Sequence, residues 1–123
     1  MPIRYLKNKN VLILYPSGRF DLEQSRHIDQ ELQNLATAES SSNFLLNMEG
    51  VDYVNSYGLK VIVNTYRNFK NEGRLFALCN LSNATRKVFD LIGHFEMFEI
   101  FTTEKEGVYY LNNIENNSSL NTQ

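Results

Sequence analysis

The 123 residues, 42% of them hydrophobic, can build one core without metals or disulfides. A formal net charge of −2 and a pI near 5.7 leave no field of either sign with which to grip nucleic-acid phosphates. No apolar run approaches the roughly 18 residues of a membrane span, and Met1 to Asn10 lack the apolar stretch of a signal peptide, so the expected compartment is the cytoplasm.

Val11-Leu12-Ile13-Leu14-Tyr15 is a short run of β-formers stopped by Pro16-Ser17-Gly18, and Ile3 to Leu6 is its expected hairpin partner across Lys7-Asn8-Lys9-Asn10. After Gly18-Arg19-Phe20, Asp21 stands where an N-cap belongs. Leu22, Ser25, Ile28, Leu32 and Leu35 then recur at roughly helical spacing up to Ala38. Glu39-Ser40-Ser41-Ser42 is a polar break before a short buried strand, Asn43 to Met48.

From Ser56 onward, Leu59, Ile62, Val63, Tyr66 and Phe69 lie on one helical stripe, with Lys60, Asn64, Arg67 and Asn68 on the other faces. This is the clearest amphipathic helix of the chain, and Asn71-Glu72-Gly73 closes it. Leu75 to Cys79 reads as the next buried strand, in which the single cysteine, Cys79, has a packing role. Ser82 caps a third helix carrying Val88, Phe89, Leu91 and Ile92 and ended by Gly93. Met97 to Phe101 is the expected final strand. Thr103 to Ile114 is the expected last helix, weakened by Gly107, and the Asn- and Ser-rich residues 115–123 form a tail expected to be disordered.

The β-β-α-β-α-β-α-β-α order predicts a single α/β domain over residues 1–114, with a mixed sheet of about five strands and about four helices. Phosphate-cradling glycine loops and the Gly-x-Ser-x-Gly elbow are absent from the sequence. His27 and His94 stand far apart, with no cysteine or carboxylate cluster at metal-ligand spacing. The chain is therefore read as a non-enzyme without cofactor or metal.

The segment that stands out is Val51 to Leu59, which delivers the chain into the best helix at the C-terminal edge of a strand, where ligands and partners of open α/β sheets gather. Ser56 or Asn55 is placed to cap that helix, and Gly58 is a costly residue in a first turn that calls for a local reason. A phosphate on Ser56 would put roughly 1.5 to 2 negative charges beside the positive helix end, yet would be poorly tolerated in an interface built on a neutral serine.

These residues resemble a known family, the STAS domain, and within it the bacterial anti-sigma factor antagonists. Gly18-Arg19-Phe20-Asp21 is similar to the family's Gly-x-Leu/Ile-Asp, and Asn55-Ser56-Tyr57-Gly58-Leu59 to its Asp-Ser-Ser/Thr-Gly-Leu signature. Gly73 to Asn80 resembles its last core strand, and Phe89 to Phe95 the helix-Gly-Leu segment that follows. The resemblance reaches from the first strands to about Leu111.

The resemblance implies a partner switch. An unmodified antagonist binds an anti-sigma factor that is also a serine kinase and so frees a sigma factor; phosphorylation of the signature serine, here Ser56, releases it, and a phosphatase restores the binding form. Asp21, Asn55, Ser56, Tyr57 and Gly58 are the implied partner-binding residues. Asn55 replaces the signature aspartate and Tyr57 its small neighbour, where tyrosine can anchor an interface. Two alternatives follow from these departures and from the fold: an unphosphorylated STAS scaffold or subunit, and a small-ligand or nucleotide sensor.

Overall fold

In the computed structural model, which describes residues 3–91 and 97–121, the expected hairpin forms from β1 (Arg4–Asn8) and β2 (Val11–Tyr15). The strands are antiparallel, with Arg4 opposite Tyr15 and Asn8 opposite Val11. Lys9 adopts the left-handed conformation, φ 54°, suited to a tight reversal, so β1 extends past Leu6 to Asn8. The chain continues through β3 (Gly18–Phe20), α1 (Leu22–Ala38), β4 (Asn43–Asn47), β5 (Val51–Val54) and α2 (Ser56–Asn71). It closes with β6 (Phe76–Cys79), α3 (Asn83–Leu91), β7 (Glu99–Phe101) and α4 (Glu104–Asn121). Ile92 and Gly93, read as the end of the third helix, lie outside the described residues, as do His94 and Phe95. The backbone of α4 is helical through Asn121, beyond the Ile114 boundary read from the sequence; no glycine or proline interrupts that stretch.

The main sheet has the order β1-β2-β4-β6-β7, with every pair beyond the hairpin parallel. It is thus the mixed five-stranded sheet, with four helices, that the sequence predicts. Side chains alternate across a strand, so each central strand serves two layers. Leu12, Leu14, Phe44, Leu46, Phe76 and Leu78 face one side, where Ile28 and Leu32 of α1, Leu59, Ile62 and Phe69 of α2 and Phe89 of α3 complete the core. Val11, Ile13, Leu45, Ala77 and Cys79 face the other side, against Val108 and Leu111 of α4. Burial on both faces is why these strands read as continuous apolar runs. Gly107 also finds its reason here: a Cβ there would lie 2.9 Å from both methyls of Leu45, so the glycine lets α4 seat on β4.

One expectation needs correction. The element order lacks β3 and β5, which pair in parallel as a separate two-stranded sheet, Arg19 opposite Tyr53 and Phe20 opposite Val54. β3 has three residues, and Val51 to Val54 is buried only at its two ends, so neither shows a period of two or an apolar run.

Burial pushes the Cys79 thiol up to about 12, with the Glu104 and Glu49 charges adding to the rise. Burial, then a hydrogen bond to Glu104, pushes the Tyr15 phenol up to about 12. In the unfolded chain these groups ionise near their ordinary values of 9.0 and 10.0, before the folded protein does. Their contribution to stability is therefore complete below about pH 9 and is lost as pH rises from about 9 to 12. Urea midpoints taken between about pH 8 and pH 11 should fall, and fall less steeply in Cys79→Ala; equal slopes would mean that the thiol does not contribute.

Candidate functional site

β3 and β5 end in register, and each delivers its chain directly into the start of a helix. At the first, the Asp21 carboxylate accepts the backbone N–H of Gln24 at 3.0 Å, capping α1 as the sequence predicts. At the second, Asn55 Oδ1 accepts from the N–H groups of Tyr57 at 3.0 Å and Gly58 at 3.1 Å, and the Asn55 carbonyl accepts from Leu59. Asn55, extended at φ −96° and ψ −173°, is therefore the cap of α2, and the choice the sequence leaves between Asn55 and Ser56 is resolved. The cap of α2 is thus a neutral amide.

The two caps are tied together. The Asn55 N–H donates to the carbonyl of Phe20 at 3.2 Å, bridging the end of β5 to the end of β3. Gly58 is pressed onto the same residue: a Cβ there would stand 2.5 Å from Phe20 Cβ and 2.9 Å from its carbonyl oxygen. The first-turn glycine is thus required by close approach of helix to strand, which outweighs its propensity cost of up to about 1 kcal/mol.

With capping done by Asn55, Ser56 is the first residue of α2 and is exposed. Tyr57 is 51% exposed and extends the same surface. The fold thus brings Asp21, Asn55, Ser56 and Tyr57 to one edge, with Gly58 buried beneath as their packing point. His27, on α1, is exposed.

Three residues of this edge escape sequence reasoning. Arg19 lies over the ring of Tyr53, 4.5 Å from its centroid, across the β3–β5 pair. Tyr53 is 42% exposed, as is Leu22. The sequence places Leu22 on the apolar stripe of α1, but as the first helical residue it is left exposed. Arg19 and Tyr53 carry no local signal, because their contact exists only across the strand pair. Two grooves lie away from these residues: one of about 710 Å³ runs between α1 and α2, another of about 500 Å³ lies between Tyr15 and Gly50.

Comparison with known proteins gives the family and the fold. A family model described as the STAS domain matches residues 3–107. The chain is 28% identical over 102 residues to the anti-sigma-B factor antagonist of Bacillus subtilis (strain 168), spanning 83% of this chain and 92% of that protein. Its fold is similar to the crystal structure of an anti-sigma factor antagonist from Mycobacterium paratuberculosis, with a TM-score of 0.81, 21% identity, and coverage of 90% of this chain and 93% of that one. It is also similar to the Bacillus cell fate determinant SpoIIAA in its phosphorylated form, with a TM-score of 0.68, 18% identity, and coverage of 86% and 96%.

Proposed function

The chain belongs to the STAS domain family, and from that membership we propose that it is an anti-sigma factor antagonist, binding a kinase-type anti-sigma factor through the edge around Ser56. Phosphorylation of Ser56 by that kinase releases the partner, and a phosphatase regenerates the binding form. The relatives named as antagonists support the general role.

The observation that carries the switch is that Ser56 is exposed at the start of α2 and relieved of capping by Asn55, beside the exposed Tyr57. A phosphate there meets the positive end of a helix and so leaves the domain folded. In a closed complex the same charge must be desolvated, at a cost of several kcal/mol. Tyr57, with Leu22 and Tyr53 nearby in the fold, supplies the kind of exposed aromatic and apolar surface on which interfaces are anchored. No role in direct nucleic-acid binding is proposed.

The test mixes the protein with kinase-type anti-sigma factors, with and without ATP, and follows complex formation and intact mass. The expected result is a complex that dissociates as one phosphate appears on Ser56, with Ser56→Asp weakening binding about tenfold or more, a cost of at least about 1.4 kcal/mol. If Ser56→Asp binds as well as the unaltered chain and no kinase modifies Ser56, the scaffold reading replaces the switch. Nucleotide binding to the chain alone, without a protein partner, favours the sensor.

A further inference from the structure

We propose that phosphorylated Ser56 is held by Lys60 in an ion pair along α2, making the modified domain more stable than the unmodified one. The inference rests on the reading of Ser56 as the phosphoacceptor, and adds a positioning residue that the family signature does not contain.

Lys60 stands four residues after Ser56, so the two side chains occupy neighbouring positions on the helix surface. Helical side chains lean toward the N-terminus, which carries the Lys60 ammonium back over the first turn. The order, anion before cation, is also the favourable one. Both residues are exposed, so the pair forms without desolvating either partner. Among the described residues the ion pairs are Lys7 with Glu39 and Arg74 with Glu72, neither of which uses Lys60.

The surroundings favour an added anion. The first turn of α2 contains no acidic residue, whereas α1 begins with Glu23 and α4 with Glu104 and Glu106. The cap itself is the neutral amide of Asn55. A phosphate on Ser56 thus meets no like charge within its own helix start, and finds a cation one turn away. The Asp21 carboxylate at the start of the other helix keeps its charge while it accepts the Gln24 N–H, so the expected stabilisation is what the positive end of α2 and Lys60 contribute beyond that repulsion. Release of a partner then follows from charge placed on an intact surface, with no loosening of α2.

The experiment uses the full chain with phosphoserine installed at position 56 during translation, so that no kinase is required. At low salt, phosphoserine should raise the melting temperature by about 3–5 °C. Lys60→Ala should remove about a third to a half of that rise, and Lys60→Arg should keep it. A ³¹P titration separates pairing from general packing: the second phosphate pKa should lie about 0.3 higher in Lys60→Ala than in the parent. A lowered melting temperature on phosphorylation, or a rise and a phosphate pKa both indifferent to Lys60→Ala, overturns the proposal. Partner binding by the same phosphoserine protein is scored separately. Retained binding removes the switch and leaves the ion pair; lost binding with no Lys60 effect removes the ion pair and leaves the switch.

Discussion

Gly58→Ala is expected to destabilise the domain by about 1–3 kcal/mol and to distort the Ser56 edge, although alanine is the better helix former by about 1 kcal/mol. The new methyl would fall 2.5 Å from Phe20 Cβ and 2.9 Å from the Phe20 carbonyl oxygen. Neither atom is the free end of a flexible side chain, and Phe20 is fully buried, so it cannot step aside. The start of α2 must move away from β3 instead, straining the Asn55 N–H bond to Phe20 and the pairing of Phe20 with Val54. Urea denaturation measures the loss. Partner affinity should fall further than in Gly107→Ala, where the clash is with the methyls of Leu45 on the opposite face of the sheet, away from the Ser56 edge. A Gly58→Ala protein as stable as its parent would mean that the approach of α2 to β3 is looser than these distances.

Arg74→Ala is expected to cost about 2–4 kcal/mol, a large share of the 5–15 kcal/mol typical of a domain. Arg74 lies just beyond α2, yet it completes α1. Its guanidinium donates to the carbonyls of Ala36 at 3.1 Å, Glu39 at 3.0 Å and Ser42 at 3.2 Å. These include carbonyls that α1 leaves without helical partners, and the last turn of that helix contains no basic residue of its own. The same group stacks over Phe69, 4.1 Å from the ring centroid, with its side chain only 9% exposed. Truncation leaves several acceptors unsatisfied at once and uncovers an aromatic face. The salt bridge to Glu72 is the lesser part, because that carboxylate is 56% exposed. Glu72→Ala should therefore cost under about 1 kcal/mol, and Arg74→Lys an intermediate amount, since one ammonium cannot reproduce the planar fork. Equal losses in Arg74→Ala and Glu72→Ala would show that the carbonyl contacts contribute nothing.

Most of the frame was legible in the sequence. β2, β4 and β6 announce themselves as apolar runs because both of their faces are covered, one by α1 to α3 and the other by α4. The cap at Asp21 is legible, and that of α2 is narrowed to Asn55 or Ser56, because an N-cap bonds to an N–H two or three residues on, inside any short window. The cysteine read as packing is fully buried. The misses share one cause. β3, β5, the Arg19–Tyr53 contact and the exposure of Leu22 all depend on neighbours distant in the chain, for which no local period exists.

The amino-acid sequence by itself determined where the helices start, which strands are buried and that Ser56 opens the best amphipathic helix, since caps and hydrophobic periodicity act over a few residues. Only the tertiary structure decided what Gly58 is for, which residue caps the end of α1, and that Asp21 and Asn55 stand side by side. Those outcomes come from contacts across long stretches of chain: Arg74 reaches back 38 residues to Ala36, and Phe20 receives both the Asn55 N–H and the bare face of Gly58. Such contacts form only when strands pair and helices settle on them, and their energies, unlike those of a cap, are set by distances that no spacing along the chain encodes.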